Sequence, residues 1–281
     1  MAMNIRRLLR PAWRALPVAT RSQLVGLGRS QAAAPDSAGT DATETDKFRA
    51  GVPTLIGLLE NIRDNGFSPF AVVDIGANVG EWSRTASSIF PVSRILMFDG
   101  DPDNEPALHN TVRSIGSRSQ YFLSLLGPEK KDAVTLYRPD AGTTGSSILP
   151  ELTSFEKESV TLPMDTLDSR TEAAALQSPL LLKLDVQGFE LEILKGGRRT
   201  LSLAEVVIME ASLLPYNEGA PLFAEVVAFM KEAGFVVFDF CGQLRRQSDH
   251  ALFQTDIVFV KSESSLRAPR KFWLREPEVQ C

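Results

Sequence analysis

The stretch "VVDIGANVGEWS", residues 72–83, decides how this chain folds. Three apolar residues, Val72, Val73 and Ile75, run into Gly76 and Gly80, with Asp74 just before the turn and Asn78 inside it. A strand that ends in a glycine turn and passes into a helix reads as a nucleotide-binding turn. The backbone can approach a ligand closely there, and helix N–H groups point at it. The third glycine of the dinucleotide fingerprint is missing, and an acid stands beside the turn. A pyrophosphate favours the complete fingerprint and a turn free of acids. Asp74 points instead to a cationic or amine-bearing ligand.

Working outward, strands and helices alternate as in a parallel sheet wrapped by helices. A helix is expected over 47–64, with Leu55, Leu58, Leu59 and Ile62 on one face and a stop at Asn65-Gly66. "FAVVDI" is the first strand, followed by a helix from Glu81 to Ile89; "RILMFD" is the second, followed by a helix from Asn104 to Ile115. "QYFLSLL" reads as the third strand and "PLLLKLD" as a buried fourth. Between them lie one extra strand, "AVTLYRP", and the loop "DAGTTGSSILPE". A helix from Phe189 stops at Gly196-Gly197, "AEVVIME" is the fifth strand, and residues 221–233 form a helix with Pro221 at its start. "FVVFDF" and "TDIVFV" finish the sheet. With no helix between them, they pair antiparallel.

Composition bounds the rest. With 281 residues, 43% of them hydrophobic, the chain can bury one full α/β core. Its net charge of −5 conceals an asymmetry. Residues 1–35 hold six arginines and no acid, leaving 24 basic and 35 acidic residues in the remainder, net −11. An acidic body argues against nucleic acid as a partner. Two cysteines without paired spacing suit a reducing, cytoplasmic setting, and two histidines, His109 and His250, leave little scope for zinc. No apolar run reaches the ~18–20 residues of a membrane span. In "MNIRRLLRPAWRALP", Ile5, Leu9, Trp13 and Leu16 share one helical face amid arginines, a pattern compatible with weak contact to an anionic membrane surface. The expected organisation is a basic segment and polar linker over 1–46, a domain over 47–260 and a polar tail over 261–281.

In an open parallel sheet, ligands bind beyond the carboxyl ends of the strands. Asp74, Asp99, Asp185 and Glu210 all fall at such ends. Each taken singly also suits a helix cap. Asp99 lies 19 residues beyond Gly80, where an acid binds a ribose diol. An adenosine carrying a charged amino-acid tail satisfies both Asp74 and Asp99. That ligand is S-adenosylmethionine, and the expected cofactor residues are Asp74, Gly76, Ala77, Asn78, Gly80, Asp99 and Ser124.

"VVDIGANVGEWS", "RILMFDGDP", "TGSSI", "DTLD", "LLKLDVQGFELEILKGG" and "VVIMEASLLPYNEGAPLFAEVVAFMKEAGF" together resemble the FkbM family of S-adenosylmethionine-dependent methyltransferases. The likeness spans residues 70–260 and is most specific in "KLDVQGFELEILKG". It implies a Rossmann-like class I methyltransferase fold with a seven-stranded, mostly parallel sheet and an antiparallel C-terminal strand. It also implies methyl transfer to a hydroxyl oxygen on a sugar or another small-molecule or glycan acceptor. Two departures stand out. Asp99-Gly100 replaces the family's common Glu-Pro, and Gln187 stands where many members carry Glu, which removes one candidate base.

Methyl transfer from a sulfonium needs little covalent help. Aligning the acceptor oxygen with the methyl–sulfur axis supplies up to ~7–11 kcal/mol. A hydroxyl acceptor also gains from a base. Asp185 and Glu210 are the expected catalytic pair, as base or orienting groups; holding magnesium is a less favoured alternative. Lys183 has room to pair with an acid, and Ser146 and Ser147 to line the acceptor entrance. Two other readings compete: a non-catalytic S-adenosylmethionine-binding partner or sensor module, and a nicotinamide oxidoreductase, which the missing third glycine disfavours. The acceptor and the oligomeric state are not legible in the chain.

Overall fold

A computed structural model describes residues 48–49, 52–138, 145–153 and 157–270. The basic amphipathic segment, the linker and the end of the polar tail from residue 271 lie outside the described residues. Among the described residues no helix is long and apolar enough to cross a membrane.

The chain enters through two short strands, β1 (Phe48–Arg49) and β2 (Val52–Pro53), paired antiparallel. The helix expected over 47–64 is therefore shorter. Pro53 occupies the strand, and Thr54 caps α1 (Leu55–Asp64) by accepting from the Gly57 N–H at 3.1 Å. Then come β3 (Ala71–Ile75), α2 (Glu81–Ile89), β4 (Arg94–Asp99), α3 (Glu105–Ile115) and β5 (Ser119–Leu123). An insertion follows: β6 (Leu125–Leu126), β7 (Lys131–Arg138) and β8 (Glu158–Asp165). Next are α4 (Leu167–Thr171), β9 (Leu180–Leu184), α5 (Glu190–Lys195) and α6 (Arg198–Leu203). The chain closes with β10 (Ala204–Ser212), α7 (Phe223–Glu232), β11 (Phe235–Arg245) and β12 (Leu252–Lys261).

Seven strands form one sheet in the order β11-β12-β10-β9-β3-β4-β5. Only β12 runs against its neighbours, pairing antiparallel with both β10 and β11. This is the expected α/β architecture of the class I methyltransferases, with its antiparallel last strand. Both faces of the sheet are covered, so the inner strands are apolar throughout rather than alternating. On one face Val73, Leu182, Val207 and Phe259 pack with Leu194 and Met230 of α5 and α7. On the other, Val72, Leu181, Ile208 and Val258 pack with Leu58, Leu59 and Ile62 of α1, Ala86 of α2 and Leu108 of α3. Truncating any of these fully buried leucines to alanine costs roughly 2–5 kcal/mol.

The insertion differs from expectation. Besides "AVTLYRP", residues 158–165 also form a strand, and β6-β8-β7 make a separate small sheet around Leu125, Leu136 and Met164. The run "ESVTLPMD" carries Pro163 where the β7–β8 register shifts between Lys131 and Val134, an irregularity of the kind that admits a proline. The helix expected to stop at the glycine pair 196–197 does so, α5 ending at Lys195 with Gly196 as its C-cap, and a second short helix, α6, follows from Arg198. At the far end, Leu266, just past β12, packs into the second face of the core.

Candidate active site

The turn after β3 is built from the backbone outward. Gly76 has φ +79°, and the N–H groups of Gly76 and Ala77 both donate to the Phe98 carbonyl of β4, at 2.9 and 3.0 Å. A Cβ on Gly76 would lie 2.0 Å from the Asp185 carbonyl oxygen. One on Gly80, also at φ +79°, would lie 2.8 Å from Thr111 of α3. Both glycines were expected to admit a ligand. Their immediate physical demand comes from inside the protein: the first lets the turn seat against the end of β9, the second lets α2 start against α3. Asn78 takes φ +50°, which asparagine tolerates better than most residues.

Asp99, at the end of β4, joins this turn. Its Oδ2 accepts from the Asn78 N–H at 2.7 Å; its Oδ1 accepts from the Asp101 N–H at 2.8 Å and Asn104 Nδ2 at 3.0 Å. Burial pushes the carboxyl up to about 6, against the pull of these three donors. Oδ2 keeps one acceptor site beyond the Asn78 bond, so the group still fits a diol donor. Ser124, expected on the cofactor side, donates its backbone N–H to the Asp99 carbonyl at 2.8 Å and its hydroxyl to the Leu125 carbonyl at 3.1 Å. Asp74 lies beneath the turn, fully buried. Ser83 of α2 donates to its Oδ2 at 2.7 Å, and Oδ1 has no hydrogen-bond partner. The β3–β9 register sets Asp74 opposite Lys183, whose Nζ comes within 3.7 Å. Burial raises the Asp74 carboxyl, while Lys183 and Ser83 lower it.

Beyond β9 and β10 a second cluster gathers the expected catalytic pair. Asp185 receives Lys183 Nζ on Oδ2 at 3.3 Å and Gln187 Nε2 on Oδ1 at 3.0 Å. The same Gln187 nitrogen donates to Glu210 Oε1 at 2.9 Å. Two oxygens of the acids, Asp185 Oδ1 and Glu210 Oε1, are thus no further apart than those two distances combined. Gln187, whose identity seemed to cost the site a base, is the group that ties the two acids together. It does so from a left-handed backbone, φ +58°, with Gly188 at +98° completing the turn. Glu190 of α5 supports that turn by accepting from the Val186 and Gly188 N–H groups at 2.9 and 3.2 Å; burial lifts its carboxyl to about 7.

β9 separates β10 from β3, so Glu210 reaches the cluster through Gln187 rather than by strand pairing with β3. On its other side β10 meets β12, where Glu210 pairs with Asp256 and Ser212 with Gln254. Gln254 Nε2 donates to Glu210 Oε1 at 2.7 Å. Burial raises Asp256 to about 7 and Glu210 to about 9, with the nearby negative charge of Asp185 adding to both. Neither Gln254 nor Asp256 was a candidate in the sequence. The strand that carries them was recognisable, but their position against Glu210 depends on the β10–β12 register.

The insertion is tied to this ground by two sets of contacts. Arg138 of β7 reaches Asp101 at 3.0 Å, Asp103 at 3.2 Å and Glu158 at 3.7 Å, tying the small sheet to the loop after β4. Ser147 is buried and donates to the Gln187 carbonyl at 3.0 Å, while Ser146 reaches Asp101 at 3.5 Å. A buried ion pair, Lys157 to Glu151 at 2.6 Å, holds the same loop. His109 and His250 are exposed. Among the described residues no group of three or more His, Cys, Asp and Glu side chains is arranged to hold a metal ion.

Among curated proteins no relative matches this chain. Of solved structures, the magnesium protoporphyrin IX methyltransferase of Synechocystis PCC 6803, crystallised with bound S-adenosylmethionine, is 11% identical; the match covers 93% of this chain and 99% of that one at a TM-score of 0.43. The precorrin-6y C5,15-methyltransferase of Geobacter metallireducens is 12% identical, covering 73% and 86% at a TM-score of 0.40. Likenesses this remote assign no residue a role. The methyltransferase FkbM domain matches residues 74–237, more than half of the chain, running from the acid of the β3 turn into β11 and including both expected catalytic acids. This chain belongs to the FkbM methyltransferase family.

Proposed function

We propose that the domain binds S-adenosylmethionine over the carboxyl ends of β3 and β4 and methylates a hydroxyl oxygen of a sugar or another small-molecule or glycan acceptor beyond β9 and β10. The observation that carries this reading is the bridge Asp185–Gln187–Glu210, set next to the cofactor-type turn by the contact of Gly76 with the Asp185 carbonyl. The residues fit the cofactor. Asp99 stands at the end of β4 with an acceptor site to spare for a ribose hydroxyl, and the turn before α2 offers its backbone to the amino-acid end. Bound there, S-adenosylmethionine supplies an activated methyl group on a sulfonium.

The protein's share is alignment and proton management. Asp185, partly open to solvent and fixed by Lys183 and Gln187, accepts the hydroxyl proton as the new oxygen–methyl bond forms and the sulfur–methyl bond breaks. The 145–153 loop abuts this ground, Ser147 donating to the Gln187 carbonyl at 3.0 Å. The test is to incubate the protein with S-adenosylmethionine and a panel of monosaccharides, glycosides and hydroxylated small molecules. Mass spectrometry then looks for S-adenosylhomocysteine and a product heavier by one methylene. Cofactor that binds in calorimetry but never turns over would favour a binding module instead.

A further inference from the structure

The two acids of the bridge are not equivalent. Asp185 has a cation, Lys183, on one oxygen and an amide on the other. Among the described residues Glu210 has no cation in ion-pair contact; two neutral amides, Gln187 and Gln254, both donate to its Oε1, and Oε2 receives no hydrogen bond. Five carboxyls face this small volume: Asp74 at the end of β3, Asp185 after β9, Glu190 on α5, Glu210 on β10 and Asp256 on β12. One ammonium group, Lys183, serves them, and it lies against Asp74 and Asp185. That many like charges cannot all be ionised around a single cation, and Glu210, with no cation in ion-pair contact and with Asp185, Glu190 and Asp256 as charged neighbours, is placed to keep its proton.

Resting on the methyl-transfer reading above, we propose that Glu210 works as a neutral carboxylic acid, its proton on Oε2 and aimed at an oxygen of the acceptor, while Asp185 carries the negative charge. The two amides select the oxygen: an amide N–H satisfies the carbonyl-type oxygen, so the hydroxyl falls on the other, which the protein leaves unpaired. Burial and the neighbouring carboxylates act in the same direction, with Lys183 alone opposing. One environment thus prepares two carboxyls for different tasks, an ionised one to take a proton and a neutral one to donate a hydrogen bond. The donor keeps its proton throughout; the hydroxyl proton released on methylation goes to Asp185.

The direct test needs no acceptor. Protein labelled with carbon-13 at the glutamate carboxyl is followed by NMR, and the Glu210 resonance is identified by its loss in Glu210→Gln. At pH 7 it is expected at the position of a protonated acid, moving to that of a carboxylate only in the alkaline range. A carboxylate position at pH 7 overturns the proposal. Should Glu210→Gln fail to fold, Glu210→Asp identifies the resonance by the same loss. With an acceptor in hand, Glu210→Gln, which keeps a neutral donor, should lower turnover less than Asp185→Asn, which falls by ~10²–10⁴. Equal losses in the two variants would also overturn it. Failure of S-adenosylmethionine to bind would sink the proposed function and leave the NMR result standing on its own.

Discussion

The backbone N–H of Asn78 donates to Oδ2 of Asp99 at 2.7 Å, so the turn after β3 and the end of β4 are one unit. An acid expected to hold a ribose is also a structural tie for the loop expected to hold the rest of the cofactor.

Asp99→Ala therefore removes a charge-assisted contact worth ~1.5–3 kcal/mol, and S-adenosylmethionine affinity should fall at least tenfold in calorimetry. Asp99→Asn keeps the shape but loses an acceptor, and should fall between the two. Wild-type affinity in the alanine variant would remove Asp99 from the cofactor site.

Asp185→Asn should leave cofactor affinity within about twofold, because the proposed site puts the side chain on the acceptor side, and lower turnover by ~10²–10⁴. A normal rate in this variant with a working acceptor would reduce Asp185 to an anchor for Lys183 and Gln187.

Gly76→Ala should destabilise the domain severely. The new Cβ meets the Asp185 carbonyl at 2.0 Å and the backbone sits at φ +79°, so either the turn or the end of β9 must move. A loss of several kcal/mol in denaturant unfolding is expected, in the class of changes that break a special backbone site. Near-native stability would show that the turn is free to relax.

The pH dependence of stability carries a sign. Glu210 is raised to about 9 in the folded protein from an ordinary value near 4.5, so between these limits the folded state holds a proton that the unfolded state has released. Stability is then greatest at the acid end of that window and declines as pH rises through it. Asp256 and Glu190, both raised to about 7, and Asp99, raised to about 6, act in the same direction over shorter windows. Glu210→Gln should flatten the slope of melting temperature against pH between about 7 and 9. An unchanged slope would mean that Glu210 ionises in the folded protein much as it does in the unfolded chain.

Much of this was legible in the chain because it is local. Mostly apolar runs leading to Asp74, Asp99, Asp185 and Glu210 mark strands and their carboxyl ends, and the glycine turn after β3 marks where a helix starts. Two terminal strands with no helix between them dictate the antiparallel finish. What the tertiary structure decided is which side chains meet. Gln187 bridges Asp185 and Glu210 only because its own turn bends into the left-handed region at the end of β9. Gln254 and Asp256 join Glu210 only through the β10–β12 register, and a one-residue slip would turn both to the opposite face of the sheet. Lys183 faces Asp74 through the β3–β9 register across more than a hundred residues of chain. Strand identity follows from period and composition within a few residues; the pairing of charges follows from register between distant strands, which no local pattern contains.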